Sequence, residues 1–470
     1  MIRWWKSACA VSLLWAATAI ASSAQTFTTL LSFDAADNSN ANAGLVQGFD
    51  GDFYGTSVDG GPAGNGAAFK VKADGTLTTL HTFDGTDGAF PFGALVLGTD
   101  GNFYGTTYNG GVNGDGTVFK MTPSGTLTTL HSFEATDGLN PYGGLIQGAD
   151  GYLYGTTIFG GPNRAGAAFK ISTSGVFTTL HLFTGGSDDG AYPYGALVQA
   201  SDGNFYGTTF SGGGADEGIV FKITSGGTLT AIHSFCLQGV PCPDGGNNVA
   251  GLVQGSDGFL YGATGRGGLA SCLYKRFAGC GVAYKISLSG TLKILHPFQG
   301  TEGASPLASL VQGTDGNFYG TTNGHGVYGW GTVFQLTSSG LLTTLHNFDG
   351  TDGASPGAGT VIQGTDGTFY GVTPSGGAGD AGTVFNLAMG LGPFIETVPS
   401  VAKVGVGVRI LGTNLTGATS VTFNGVPASF TVVSPTLINT TVPAGATTGS
   451  VQVTIPSGTL SSNVAFRVKP

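Results

Sequence analysis

The sequence predicts an all-β fold, a seven-bladed β-propeller of four-stranded blades followed by a small β-sandwich, and three observations predict it. A phrase containing Tyr-Gly recurs about every fifty residues, glycines sit at fixed places within that repeat, and the repeat is incomplete in complementary ways at its two ends. The aligned tyrosines are Tyr54, Tyr104, Tyr154, Tyr206, Tyr261, Tyr319 and Tyr370, at intervals of 50, 50, 52, 55, 58 and 51 residues. Self-similarity at such a period is the mark of a repeat architecture.

Taken in order, residues 1–24 come first: Arg3 and Lys6, an apolar run from Ala8 to Ala21, then Ser22-Ser23-Ala24. That is the layout of a cleaved secretory signal, with cleavage expected near Ala24. Residues 25–388 hold the repeats. Copy two reads as four strands, 94–97, 102–107, 117–121 and 127–133, by alternation and by β-branched and aromatic content. The first two are joined by Asp-Gly in every copy, from Asp50 to Asp366, and glycine's tolerance of positive φ suits a tight hairpin. Residues 26–33 read as a fourth strand without its first three, and the last copy, ending at 383–387, has three strands without a fourth. The N-terminal strand is therefore expected to complete the last sheet and close a ring, which hides the edges an open array would expose.

A Gly-rich linker spans 389–393, after which the period stops and Val, Thr, Pro and Ser dominate. Short alternating strands through 394–470 suggest a sandwich.

Composition narrows the function classes. The chain has 86 Gly in 470 residues and only 17 Lys+Arg with 27 Asp+Glu, whereas globular proteins average about 7% Gly and about 25% charged residues. A coiled coil, a charge-rich disordered chain and a basic nucleic-acid binder are excluded. The formal charge of −10 becomes −12 when Arg3 and Lys6 leave with the signal, which disfavours nucleic acid and anionic membranes as partners. Beyond residue 24 no stretch approaches the roughly 20 apolar residues of a membrane span. Cys236, Cys242, Cys272 and Cys280 form an even set in a chain read as exported, so local disulfides 236–242 and 272–280 are expected. The expected product is a secreted monomer, extracellular or periplasmic.

The phrases Gly-Leu-Val-Gln-Gly, Asp-Gly-Asn-Phe-Tyr-Gly-Thr-Thr, Gly-Thr-Val-Phe-Lys and Leu-Thr-Thr-Leu-His-Ser-Phe resemble the GloVer tandem repeat of bacterial exported proteins, over about residues 26–388. The resemblance implies export and brings no activity, cofactor or catalytic residue with it. Residues 394–470, with Val421-Thr422-Phe423-Asn424-Gly425 and Thr440 to Gly445, look like an IPT/TIG domain, a small immunoglobulin-like sandwich. Such modules serve as spacers or interaction units.

Chemistry-bearing residues divide into periodic and exceptional ones. His81, His131, His181, His233, His296 and His346 share one fourth-strand slot, with Leu31 in the seventh, which reads as packing or hydrogen bonding between sheets, and each loop from a fourth strand to the next first strand carries an acid, Asp37, Asp87, Asp137, Asp189, Asp244, Glu302 or Asp352. Asp84, Asp87, Asp349 and Asp352 sit in turns and fall short of the six to eight oxygens that Ca²⁺ requires, so no metal or cofactor is expected. No nucleophile elbow or zinc-binding His pair occurs. The exceptions cluster in copies five and six. Copy five expands the loop between its second and third strands, which carries Arg266, Tyr274, Lys275 and Arg276, the last three between Cys272 and Cys280, and copy six carries His325, Tyr328 and Trp330. They are expected on one face as a binding site for a glycan or an extracellular protein. The alternative is a polysaccharide hydrolase or lyase with Asp216 or Glu217 and His325 as acid and base, which requires two titrating groups in one cleft.

Overall fold

In a computed structural model, the described residues are 25–34, 38–239, 242–269, 271–274, 277–357 and 359–469. The signal expected over 1–24, the loop acid Asp37, and Lys275 and Arg276 lie outside them. Every regular element among the described residues is a β-strand. The repeats form seven four-stranded antiparallel sheets, each a meander except the one at the chain's N-terminus. Copy two pairs Val96–Leu97, Phe103–Thr107, Thr117–Met121 and Leu127–Ser132 in that order. The first strand is half its expected length, because at Gly93 the chain runs against its neighbour: a Cβ there would stand 2.9 Å from the carbonyl oxygen of Gly143. In the last copy Thr26–Ser32 pairs with Thr383–Ala388, aligning Thr26 with Ala388 and Ser32 with Thr383.

The repeated phrases have a direct physical meaning. Gly101 turns the hairpin at φ 86°. The following Tyr104 is buried and donates its hydroxyl to Asp100 Oδ2 at 2.8 Å, and the same Tyr-to-Asp bond recurs in all seven copies at 2.7–2.9 Å. Lys120 pairs with that carboxylate at 3.1 Å. Although burial opposes it, hydrogen bonds from Asn102 and Tyr104 hold the Asp100 carboxyl at about 2. Gly105 is fixed by a close approach: a Cβ would lie 2.5 Å from Cζ of Phe119 on the third strand.

Neighbouring copies are joined by three recurring contacts. The buried Tyr of one copy stacks on the second-strand Phe of the next, as in Tyr54 on Phe103 with centroids 4.1 Å apart, Tyr154 on Phe205 at 3.9 Å and Tyr319 on Phe369 at 4.0 Å. A first-strand Gln accepts an N–H from the copy before it, as Gln147 does from Thr99 and Gln199 from Ala149, both at 2.9 Å. A loop N–H reaches back to a carbonyl of the preceding copy, as Phe90 does to Asn65 at 2.8 Å. All three contacts also join copy seven to copy one: Tyr370 lies 4.0 Å from Phe53, Thr365 N donates to Gln47 Oε1 at 3.0 Å, and Asn40 N donates to Ala381 O at 3.0 Å.

Residues from Ile395 onward form two further four-stranded sheets around a core that includes Ile410, Phe423, Ile438, Val451 and Phe466. This sandwich rests on the Asp-Gly hairpin side of the repeats. Thr436 Oγ1 donates to Phe49 O at 2.8 Å, the Arg409 guanidinium lies 5.0 Å over the Phe49 ring, Lys469 Nζ donates to Ala149 O at 2.8 Å, and Arg467 Nη1 to Ser201 O at 2.6 Å.

Copy five departs from the pattern inside the core. Tyr284 stands where the other copies have Phe, and Asn248 where five of them have Pro. Both are fully buried, and Asn248 Nδ2 donates to the Tyr284 hydroxyl at 2.8 Å while its Oδ1 accepts from Ala250 N at 3.1 Å. The extra hydroxyl is thus satisfied by a second change in the same copy. Tyr284→Phe alone strands the buried amide and should cost about 1 to 3 kcal/mol, whereas Tyr284→Phe with Asn248→Ala should recover part of that loss. Urea denaturation of the three proteins checks it; additive losses would show that the two side chains do not depend on each other.

Candidate functional site

The periodic histidines and loop acids are partners within each copy. His81 Nε2 lies 2.6 Å from Asp87, His131 2.9 Å from Asp137, His181 3.1 Å from Asp189, His233 3.1 Å from Asp244, His296 2.6 Å from Glu302 and His346 2.7 Å from Asp352. The acid also caps its own turn, as Asp87 Oδ1 does by accepting the N–H of Asp84 at 3.1 Å. These pairs close the loop from each fourth strand to the next copy, where the chain then enters the left-handed region at Asn40, Phe90, Asn140, Tyr192, Asn247, Ser305 and Ser355, with φ between 49° and 60°.

Two residues beyond five of these positions, the side chains of Asn42, Tyr142, Tyr194, Val249 and Leu307 reach a cavity of about 420 Å³. Six of the seven copies contribute to its wall. One side is aromatic: Tyr142, Tyr194 and Phe210 line it, Tyr142 meets Tyr194 edge-on at 5.3 Å and Phe210 lies 5.7 Å from Tyr194. Phe92 supports this wall by stacking on Tyr142 at 4.8 Å. Burial raises the ionisation of both tyrosine hydroxyls above the ordinary range, with Asn42 moderating it at Tyr142. The rest of the wall includes Asn42, Asn247, Asn323, Ser305 and Arg266. Arg266 is half-buried and its Nη1 donates to Asn247 Oδ1 at 2.8 Å.

Of the residues singled out from the sequence, Arg266 lines this cavity. Tyr328 and Trp330 lie on exposed loop surface, with Trp330 beside Gly350. His325 bridges to Trp330 through the backbone and adopts φ 60°, in a slot held by Gly in the other six copies, all at positive φ. Asp216 accepts the N–H of Gly212 in its own loop at 2.8 Å. Glu217 is half-buried near Gly246, and burial pushes its carboxyl up while Arg266 pulls it down. Tyr274 lies in a two-residue strand paired with Phe277–Ala278. Cys236 is joined to Cys242 and Cys272 to Cys280. The sequence reading missed Asn42, Asn247 and Asn323 as cavity residues; they occupy three different repeat positions, those of Tyr142, Tyr192 and Phe210, and each position varies from copy to copy.

The profile of the Gloeobacter/Verrucomicrobia repeat matches residues 17–200 and 271–405. The chain belongs to that repeat family. An IPT/TIG domain matches residues 393–468. No curated protein matches the chain. Among solved structures, this Gloeobacter/Verrucomicrobia repeat protein is similar to a fungal alcohol oxidase of the AA5 family in complex with copper, at 13% identity over 95% of this chain and 99% of that one, with a TM-score of 0.53. It is also similar to a candidate 6-phosphogluconolactonase from Bacteroides fragilis, at 15% identity over 68% of this chain and 88% of that one, TM-score 0.45. Identities this low carry the fold alone, a propeller-like array of four-stranded sheets.

The histidine–acid pairs of this repeat protein make stability depend on pH in two steps. Burial lowers His346 below its ordinary 6.5, against the pull of Asp352, so the unfolded chain takes up that proton more readily and stability falls as pH drops through about 6.5. At Asp189 burial is outweighed by the bond from His181, holding the carboxyl below 3.8; with Asp100 at about 2, a second loss should follow between about pH 4 and 2. Melting temperature followed from pH 8 to 2 should show both steps, and His346→Leu, the residue that the seventh sheet uses at Leu31, should flatten the first. A curve already flat between pH 7.5 and 5.5 in the parent protein would refute the histidine contribution.

Proposed function

We propose that the seven repeat sheets close into a seven-bladed propeller, residues 25–388, joined through 389–393 to the sandwich at 394–470, and that the protein is exported after cleavage near Ala24. Closure is supported by the three contacts from copy seven to copy one, each of the same kind that joins the other copies. The two disulfides fit an oxidising destination, extracellular or periplasmic. Deleting residues 26–32 would expose the edge at Val384, and unpaired edges invite association. The deletion should therefore produce oligomers in light scattering where the full chain is monomeric; a monodisperse, equally stable deletion would contradict closure by this strand.

The propeller acts as a non-catalytic binding module for a glycan, with the sandwich as its docking or spacer domain. One observation carries this reading: a cavity lined by six of the copies combines the aromatic rings of Tyr142, Tyr194 and Phe210 with the amides of Asn42, Asn247 and Asn323. Aromatic faces cover the apolar C–H faces of sugar rings, and amides meet their hydroxyls. Its volume falls in the range of about 300 to 1,000 Å³ of small-ligand sites. The hydrolase or lyase reading is less well supported, because neither Glu217 nor His325 is among the residues lining this cavity. Screening the protein against immobilised glycans should yield binders whose affinity drops at least about tenfold in Tyr142→Ala and Tyr194→Ala, with little change in melting temperature. Retention of every binder by both variants would place the site elsewhere on the molecule.

A further inference from the structure

Three features of the cavity narrow its ligand. Among the residues that line it, Arg266 is the sole charged side chain, in a chain whose formal charge is −10. The other copies place Asp59, Asn109, Phe159, Ser211, Gly324 and Ser375 at its repeat position. The cation is therefore a departure from the repeat, set at the one place where the copies converge.

Arg266 is also held in place from several sides. Its carbonyl accepts from Thr264 Oγ1 at 2.8 Å and from Gly246 N at 3.3 Å. Its guanidinium is oriented by Asn247 Oδ1. Asn247 is itself fixed, with left-handed φ 49°, its N–H on Glu217 O at 2.9 Å and its Nδ2 on Phe210 O at 3.2 Å. A guanidinium presents five donors in a rigid fork that matches a carboxylate, and a charge-assisted bond in a cavity shielded from water is stronger than the same bond at the surface.

The third feature is that the passage narrows away from the cavity and has the sandwich beside its far end. A second cavity of about 240 Å³ shares Tyr142, Tyr194 and Leu307 with the first and continues between the first strands of the copies, where glycines at 93, 143, 195 and 251 bring main chains together. Beyond it, residues 397–401 of the sandwich lie against Leu97, Gln147 and Gln199. Interdomain contacts run from Thr365 of copy seven, bonded to Thr413 at 2.9 Å, round to Ser201 of copy four. The narrow passage and the sandwich beside it favour a chain end over a threaded polymer.

We propose that this cavity binds a single hexuronate residue, the acidic end of a uronate-containing saccharide, with its carboxylate on Arg266 and its ring against Tyr142 and Tyr194. The inference rests on the glycan-binding reading and adds to it the charge and the end-on mode. Titration calorimetry of the intact protein with D-galacturonate, its methyl ester and D-galactose tests the charge without any substitution. Galacturonate should bind at least about tenfold more tightly than the ester or galactose, and Arg266→Gln should erase that difference. Digalacturonate should bind through one end, with a stoichiometry of one and no gain from longer oligomers.

Equal affinities for acid, ester and neutral sugar in the parent protein would overturn the uronate assignment. So would an acid preference that survives in Arg266→Gln. If galactose binds and is lost in Tyr194→Ala while no preference for acid exists, the glycan-binding reading stands and the uronate inference fails; if no saccharide binds at all, both fail together.

Discussion

Everything in the repeat region depends on how one copy grips the next, and the decisive grip is the buried tyrosine. Its ring lies on the second-strand aromatic of the following copy, and its hydroxyl is tied to the aspartate of its own hairpin. One side chain thus fixes a turn, fills the space between two sheets and sets their separation. A ring offset by a single residue would take the hydroxyl from its carboxylate and the ring from its neighbour at once. For the tyrosines of copies two and four, the following copy's aromatic partner is replaced by Leu153 or Leu260, so the aliphatic surface is sufficient where the tether to aspartate is kept.

Most of the architecture was legible in the sequence because it is periodic. The four strands, the Asp-Gly hairpins and the incomplete ends all repeat or fail at predictable places, and the observed third strand Thr117–Met121 coincides with its expected bounds. What stayed hidden was pairing between periodic features. The histidine slot and the loop acids were each visible as a series, yet their separation runs from six residues at His81 and Asp87 to eleven at His233 and Asp244, and a spacing that varies gives no signature of contact. The Asn248–Tyr284 bond was hidden for another reason: two substitutions 36 residues apart look like independent drift until the fold brings them together.

The candidate site was only partly readable. Departures from the repeat singled out Arg266, which lines the cavity, because a cation at that position has no counterpart in the other copies. The same rule drew attention to Tyr328 and Trp330, which project from exposed loops. A repeat protein concentrates its inward-facing positions where all copies converge, so a residue that differs modestly in every copy, such as the series from Asn42 through Tyr142 and Tyr194 to Leu307, builds more of a pocket than one large insertion at the periphery.

One small irregularity has a wider meaning. Each first strand offers a glutamine that accepts an N–H from the copy before it, except in copy two, where Leu97 stands instead. The residue left without that partner is Phe49, and it is there that Arg409 and Thr436 of the sandwich make contact. An array of near-identical units presents the same seat at every step, and a domain tethered beside it has no reason to choose among them. Breaking the girdle once turns a degenerate surface into an addressed one, in the way a single notch on a wheel defines where its rotation begins.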